Sequence, residues 1–191
     1  MANRDAPMGF IPVEKLDGSK IPTRKWKINS ATSNIFVGDA VSKDAGGGVE
    51  LSTASDGILI VGVVEQLLDS NEVPIGHPNS SISTKYVASG SSGIAIVSLA
   101  VQDAVFSIQA NGNTVEADIW NTAPMVVTGG DTTTARSKTE LNTSSQSTSG
   151  AEELMIIGKV DEPGNAWGTN VNLLVTFLES TWIGNGDPVG V

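Results

Sequence analysis

Residues that carry acid–base or nucleophilic chemistry are sparse in this sequence. The chain has no cysteine and one histidine, His77, which precedes Pro78 in a stretch of turn-forming residues. A catalytic histidine needs a carboxylate that orients it and a nucleophile within reach, and no Gly-x-Ser-x-Gly motif follows a strand-like run. The lack of cysteine excludes a thiol nucleophile and a cysteine-bound metal. The single histidine excludes a multi-histidine metal site within one subunit.

The acidic residues and the glycine runs form no catalytic or phosphate-binding motif. The adjacent pairs Glu152-Glu153 and Asp161-Glu162 would point to opposite faces of a strand. Gly46–Gly48 lacks the Lys-Ser/Thr that follows in a phosphate loop, and we interpret it as a hairpin tip. We therefore expect a protein that is not an enzyme and that uses no cofactor and no metal ion. A β-rich hydrolase that uses His77 and clustered carboxylates is the enzymatic alternative.

Size and charge limit the possible partners. The chain has 191 residues and a formal net charge of −10, and this length fits one domain or two small ones. A strongly acidic protein lacks the positive field that binds phosphates, so we expect no nucleic-acid partner. No apolar run approaches the ~18 residues that span a bilayer, and no apolar stretch typical of a signal peptide follows Met1. We therefore expect no membrane contact.

Positive charge is concentrated at the N-terminus. Residues 1–30 hold six of the 11 basic residues and three of the 21 acidic residues, so this segment carries +3 and the remainder −13. The segment also contains Pro7, Pro12 and Pro22, and proline disfavours a helix in the residue before it. We predict an extended basic N-terminal arm over residues 1–30. It is either a solvated chain end or an arm that lies across a neighbouring acidic subunit.

Apolar residues on this arm favour docking, because exposed apolar groups need a cover. Tryptophan is common at interfaces where one side of the ring stays exposed to water. We therefore include Trp26, at the end of the arm, and Trp182, near the C-terminus, among the expected contacts. The residues that we expect to contact a capsid or another subunit are Arg4, Phe10, Ile11, Val13, Lys15, Arg24, Lys25, Trp26, Lys27 and Trp182.

Residues 31–191 predict a β-rich body. Short apolar runs bounded by Gly, Asn, Asp and Pro are typical of a β-sandwich or a β-barrel. Residues 171–177 alternate with period two, and residues 94–106 fit two strands better than one buried helix. A short helix at residues 65–71 is a minor alternative. The fold class is therefore all-β, with an extended arm.

A weak internal repeat indicates a possible duplication. Residues 59–65 align with residues 155–161 at an offset of 96, and each copy has a glycine in its centre. Glycine inside a strand often marks a bulge or a close approach of two backbones. Upstream, residues 37–41 resemble residues 116–120, and each stretch has an Asp in its centre. The body therefore divides into possible units 31–110 and 111–180.

The second unit carries a Ser/Thr-rich surface insertion, residues 128–150. Within Thr128–Ser149, 12 of 22 residues are Ser or Thr, so this segment has little to bury and forms a loop or hairpin. It is either solvated or a projection that contacts another molecule. Just before it, Trp120 is expected in the core.

Short blocks of the sequence resemble one family of viral proteins. Residues 1–13 (MANRDAPMGFIPV) and Leu16–Ser19 are similar to the start of the head decoration, or cement, proteins of marine and cyanobacterial tailed bacteriophages. Further similarity lies in residues 35–41, 60–64 and 156–165. The blocks span most of the chain, and none of them is a catalytic signature.

This resemblance implies a non-enzymatic virion protein, made in the host bacterial cytoplasm and located on the outer capsid surface. There it would bind the major capsid protein, bridge neighbouring capsid subunits and form homotrimers. The charge split and the apolar residues of the arm then lead us to expect that residues 1–30 form the clamp that holds the capsid. The alternative is a phage fibre or adhesion module that grips host-surface glycans with the Ser/Thr-rich insertion and exposed tryptophans.

Overall fold

The computed structural model describes residues 3–54, 57–148 and 152–182. Within these residues the chain forms β-strands joined by turns, and two short 3-10 helices, Glu116–Asp118 and Thr143–Ser145. The strands in chain order are β1 (Ile11–Lys15), β2 (Thr23–Ile28), β3 (Ala40–Lys43), β4 (Val49–Leu51), β5 (Ile60–Leu68), β6 (Gly93–Leu99), β7 (Ala104–Gln109), β8 (Asn113–Thr114), β9 (Thr122–Ala123), β10 (Met125–Val126), β11 (Glu140–Leu141), β12 (Leu154–Lys159), β13 (Gly168–Thr169) and β14 (Asn172–Phe177).

Two five-stranded antiparallel sheets form the body. Sheet A has the order β1-β7-β14-β12-β9, and sheet B has the order β2-β6-β5-β3-β4. Two smaller ladders join β10 to β11 and β8 to β13. The all-β prediction is confirmed. Of the two predicted architectures the structure is a sandwich, and neither five-stranded sheet closes into a barrel within the described residues.

Several local predictions are also confirmed. Residues 94–106 form two strands, β6 and β7, and residues 172–177 form β14. The glycine run 46–48 lies at the tip of the β3–β4 hairpin, where the amide of Gly47 donates to the carbonyl of Asp44. The minor helix alternative is wrong, because β5 continues to Leu68. Neither 3-10 helix of the described chain has the length or apolar character that crossing a membrane requires.

Two hydrophobic cores share strand β5. Core 1 fills the space between the sheets and includes the rings of Phe10, Phe106 and Phe177. Core 2 is formed by side chains from the strands of sheet B, including β6, and from the loops before β3 and β6. Strand β5 supplies Ile60 and Val63 to core 1 but Val61, Val64 and Leu67 to core 2. Burial on both faces explains why the sequence of β5 is an almost continuous apolar run.

The two glycines of the sequence repeat lie at β-bulges, as predicted. Opposite β3 the register skips Val61, which immediately precedes Gly62, and opposite β14 it skips Ile157, which precedes Gly158. A Cβ added to Gly62 would lie 2.1 Å from the carbonyl oxygen of Ser98. Glycine is therefore required there by the close approach of β6.

The repeat nevertheless does not divide the body into two units. Strand β7 lies in the expected first unit, 31–110, yet it pairs with β14 in sheet A. Residues 37–41 lead directly into β3, whereas residues 116–120 form a 3-10 helix and a turn. The expected units 31–110 and 111–180 are thus corrected, because both sheets draw strands from distant parts of the chain.

The N-terminal segment is part of the body and not a separate extended arm. Strand β1 pairs with β7 at one edge of sheet A, and β2 pairs with β6 at one edge of sheet B. Phe10, Ile21 and Ile28 are fully buried. Proline is tolerated in an edge strand because one side of the strand has no partner, so Pro12 fits within β1. The predicted arm over residues 1–30 is corrected accordingly.

Amide side chains fasten residues 3–9 to the end of sheet A. Gln109 accepts a hydrogen bond from the amide of Ala6 and donates to the carbonyl oxygen of Arg4. Asn3 donates to the carbonyl oxygens of Ala166 and Thr169. These bonds satisfy the backbone of a segment that contains little regular structure.

The Ser/Thr-rich insertion folds as an irregular hairpin over the sandwich. Strands β10 and β11 pair at its base, and most of residues 128–136 are exposed, in agreement with the predicted surface hairpin. Its second half packs back onto the body, because Ser137 and Thr139 are buried and the amide of Ser137 donates to the carbonyl of Val37. Residues 149 and 150 lie outside the described residues.

Asp39 lies where the insertion, the N-terminal segment and sheet B meet. Its carboxylate is almost fully buried and accepts hydrogen bonds from the amide of Phe36 and the hydroxyl of Ser137. Burial raises the pKa of Asp39 to about 6, against the smaller opposing effect of those bonds. The junction is tight, since a Cβ on Gly9 would lie 2.4 Å from Ser137.

Phe10→Ala tests whether the N-terminal segment belongs to the core. The ring centroid of Phe10 lies 5.0 Å from that of Phe177, so the substitution should lower the free energy of unfolding by about 3–5 kcal/mol. Ile11→Ala is the neighbouring control and should change it by within about 0.5 kcal/mol, because that side chain is exposed. Urea unfolding of both variants makes the comparison. Equal, small losses would show that the segment is not part of the core.

Asp39→Asn tests the buried carboxyl through its pH dependence. Asp39 protonates near pH 6 in the folded state but near 3.8 when unfolded. Below pH 3.8 the carboxyl is protonated in both the folded and the unfolded state, and the stability associated with this group is at its maximum. That stability is lost as the pH rises through 6, because the folded state then has to bury a charged carboxylate. The free energy of unfolding of the variant, relative to that of the native protein, should increase by up to roughly 3 kcal/mol between pH 4 and pH 7, since one pKa unit corresponds to about 1.4 kcal/mol. Urea unfolding of both proteins across this pH range measures the difference, and a difference that is constant with pH contradicts the buried-carboxyl assignment.

Candidate docking surface

The predicted contact residues fall on two separate edges of the sandwich. Ile11, Val13 and Lys15 lie on β1, at the edge of sheet A, whereas residues 24–27 lie on β2, at the edge of sheet B. Phe10 belongs to neither surface. It is only 1% exposed, and this corrects its expected role as a contact residue, because its ring is enclosed by Phe106 and Phe177.

Alternation along β2 gives this strand two different faces. Trp26 and Ile28 point toward core 2, whereas Lys25 and Lys27 lie on the opposite face and are exposed. Arg24, at the start of the strand, is exposed as well. Exposed cations are a common feature of edge strands, because they prevent uncontrolled pairing with other strands. They also place positive charge on this edge of a chain whose net charge is −10.

The fold brings Trp182 next to Trp26. Their ring centroids lie 6.2 Å apart with the planes tilted by 41°, although 156 positions separate them in the sequence. The indole N–H of Trp182 donates to the carbonyl oxygen of Val61 over 2.7 Å. Trp182 is thereby fixed against sheet B while 42% of it remains exposed. We call the group Arg24, Lys25, Trp26, Lys27 and Trp182 the β2 edge.

Two of the predicted basic contacts form ion pairs within the chain. The ammonium of Lys25 lies 2.7 Å from Glu72, and that of Lys15 lies 2.8 Å from Asp103. The hydrogen bond to Asp103 raises the pKa of Lys15 above its usual value. Both pairs are solvent-accessible and contribute little to stability. Among the described residues, Arg24 and Lys27 form no ion pair, so their charge is available to a partner.

Apolar side chains are exposed along β1. Ile11 and Val13 were expected as contacts, and the structure adds Met8 and Leu16, which sequence reasoning missed. These four side chains are between 40% and 69% exposed, and we call them the β1 patch. Arg4 is exposed nearby, with its backbone held by Gln109. Four exposed apolar residues in one short stretch of chain are typical of an interaction site.

Trp120 is on the surface, and its expected place in the core is corrected. The side chain is 69% exposed, and its backbone has φ +76°. The amide of Asn121 donates to the carbonyl of Asp118, so residues 118–121 form a type II turn with Trp120 as its third residue. That position favours glycine, and a left-handed conformation costs other residues about 1–2 kcal/mol.

Hydrogen bonds hold Trp120 in this conformation. Asp118 accepts from the amide of Val115 and from the side chain of Asn121, and the amide of Trp120 donates to the carbonyl of Ile156. Asp and Asn around the indole are the sequence signal that could have predicted a turn. We call residues Val115–Asn121 the Trp120 turn. Val115, in the same turn, is also exposed.

The remaining chemical candidates have structural roles. His77 lies in an exposed turn, where its Nδ1 accepts a hydrogen bond from the amide of Asn79. A polar groove of about 440 Å³ lies between residues 3–9 and the loop before β14, but its amide side chains bind one another and the backbone. Among residues 3–54, 57–148 and 152–182, no group of three His, Asp or Glu side chains is arranged to hold a metal ion.

No protein-family model, curated protein or solved structure matches this chain.

Trp182→Ala tests how firmly the β2 edge is built. Loss of the ring contact with Trp26 and of the hydrogen bond to Val61 should lower the free energy of unfolding by about 1–3 kcal/mol. Trp182→Phe keeps an aromatic ring but removes the N–H donor, so it should cost about 1 kcal/mol. Chemical denaturation measures both. An alanine variant as stable as the native chain would mean that Trp182 does not pack on sheet B.

Proposed function

We propose that this protein is a non-enzymatic capsid decoration protein of a tailed bacteriophage. It binds the outer surface of the assembled head, bridges neighbouring subunits of the major capsid protein and associates with further copies of itself, as homotrimers according to the resemblance. The β2 edge is the surface that contacts the shell. In this proposal the contact is made by a rigid edge of the body, and not by a separate N-terminal clamp.

The observation that carries the proposal is the composition of the β2 edge. Trp26, which packs against Trp182, lies on the same edge strand as Arg24 and Lys27, both exposed, in a chain whose net charge is −10. Trp and Arg are the residues most enriched among energetic hot spots of protein interfaces. The cations would steer the protein toward an acidic shell surface, and the indole rings would supply apolar contact once it is docked.

Binding to an assembled shell explains how such a protein stabilises it. A ligand that binds the assembled state and not its separated parts shifts the equilibrium toward assembly by mass action. The protein needs no catalytic group for this purpose. It needs a body that keeps its contact residues in place, and the hydrogen bond from Trp182 to β5 serves that need.

The charge reversal Arg24→Glu/Lys27→Glu tests the proposal directly. Added to heads that were assembled without the protein, the double variant should bind at least about tenfold more weakly than the native chain. The remaining affinity should also depend less on salt, because fewer attractive charges face the shell. Co-sedimentation with heads across a salt series measures both effects.

A matched control separates a local effect from one of net charge. Lys85→Glu/Lys138→Glu makes the same change in charge at two exposed positions outside the β2 edge, and it should bind almost like the native chain. Equal loss in both double variants would overturn the role of the β2 edge. Failure of the native chain to bind heads at all would overturn the proposed function.

One observation favours the adhesion module as a second candidate. The tilted Trp26–Trp182 pair has one half-exposed ring, and exposed aromatic rings are suited to stack on the apolar face of a sugar. Under this alternative the native chain binds host-surface glycans on an array, Trp182→Ala abolishes that binding, and assembled heads do not bind the protein.

A further inference from the structure

The backbone of β2 is bonded to β6 on one side and has no partner strand on the other. The amide of Leu99 donates to the carbonyl oxygen of Pro22, which lies opposite it when the register of β2 and β6 is continued. Bonded and non-bonded pairs alternate along an antiparallel ladder, so Pro22 and every second residue after it direct their backbone groups toward β6. Thr23 and Lys25 therefore direct their N–H and C=O groups outward.

These outward groups are free in the first half of the strand. Among the described residues, the backbone groups of Thr23 and Lys25 form no hydrogen bond on that side. The carbonyl oxygen of Lys27 also points outward, but it would lie 2.3 Å from a Cβ added to Gly48. The β3–β4 hairpin thus covers the end of β2 and leaves its beginning uncovered.

The other outer strands of the two sheets are less open. Strand β1 contains Pro12, which has no N–H, and the amide of its Lys15 donates to the carbonyl oxygen of Ser19. Strand β9 exchanges two hydrogen bonds with Ser147 on its outer side. Strand β4 has only 3 residues. Strand β2 is therefore the outer strand best suited to receive another strand.

The charges on β2 select the kind of strand that pairs with it. Arg24, Lys25 and Lys27 are cations, and the strand contains no acidic residue. Glu72 pairs with Lys25, whereas Arg24 and Lys27 form no ion pair within the part of the chain that the structure describes. Like charges on opposed strands destabilise a sheet, and opposite charges stabilise it. The β2 strand of a second copy is therefore disfavoured as the occupant, and an acidic strand is favoured.

We propose that sheet B accepts an extended acidic segment of another protein as an additional strand beside β2. The inference rests on the proposed function, in which that segment belongs to the major capsid protein. The backbone of the segment bonds to Thr23 and Lys25, and its acidic side chains lie beside the cations of the β2 edge. In strand addition of this kind the main-chain bonds provide affinity and the side chains provide specificity.

Hydrogen exchange measured by NMR on the isolated full-length chain tests the pairing. The probe is a short peptide in which Glu and Val alternate, with both ends blocked. In the free chain the amides of Thr23 and Lys25 should exchange faster than those of Arg24 and Trp26, which are bonded to β6. Saturating peptide should slow exchange at Thr23 and Lys25 at least about tenfold and affect Arg24 and Trp26 much less. Unchanged exchange at Thr23 and Lys25 overturns the proposal.

Two further peptides are matched controls. The same peptide with every backbone amide methylated keeps its charge but lacks the N–H donors, and a peptide of alternating Lys and Val keeps the donors but reverses the charge. Neither should protect Thr23 or Lys25, and protection by either one as strong as that by the probe overturns the proposal. Protection of these amides that rises with protein concentration in the absence of peptide would indicate pairing with a second copy, and it overturns the proposal too.

Two substitutions of Lys25 separate the backbone bond from the charge. Lys25→Thr and Lys25→Pro both remove the ammonium, but only proline removes the outward N–H. Proline is tolerated there because the lost N–H makes no bond to β6, and similar melting temperatures of the two variants check this. Lys25→Pro should bind the peptide at least about tenfold more weakly than Lys25→Thr. Equal binding by two folded variants contradicts strand addition.

The same two variants distinguish this inference from the proposed function. If the native chain and both variants bind assembled heads equally well, the proposed function stands and strand addition is overturned. If the probe protects Thr23 and Lys25 but heads do not bind the native chain, strand addition stands and the proposed function is overturned.

Discussion

The burial of strand β5 on both faces is the constraint on which the rest of the structure depends. Ile60 and Val63 face the core between the sheets, while Val61, Val64 and Leu67 face the core inside sheet B. A strand of this kind must be covered on both sides, so one sheet alone does not satisfy it. Sheet A covers one side, and the loops before β3 and β6 cover the other.

This constraint also decides what the N-terminal segment does. The two cores need side chains that β5 and its neighbours do not supply, and Phe10, Ile21 and Ile28 provide them. Once these residues are buried, β1 and β2 are fixed as edge strands, and the side chains that alternate with the buried ones face solvent. The exposed cations and apolar residues thus lie on strands whose positions are fixed before binding. This lowers the conformational-entropy cost of binding a partner.

Much of the fold follows from local patterns in the sequence. Short apolar runs separated by turn residues identified β6, β7 and β14, and central glycines identified the bulges beside Gly62 and Gly158, because these signals depend on neighbouring residues alone. The candidate sites were harder to predict. Ile11 and Val13 were expected to be exposed contacts and are exposed, but Phe10 beside them is buried, and Trp120 is exposed where a core position was expected. The apolar character of a side chain does not by itself show whether the side chain is buried in the core or exposed on the surface.

The sequence by itself determined the all-β class, the acidic body, the concentration of positive charge in residues 1–30 and the absence of cysteine chemistry. Only the tertiary structure decided that this positive segment supplies one edge to each sheet and that Trp182 lies beside Trp26. The physical reason is that periodicity and composition are local properties, whereas strand order and burial depend on contacts between residues far apart in the chain. The exposed surface consists of the residues that those contacts leave uncovered. The edges formed by β1 and β2 could therefore be identified only from the folded structure.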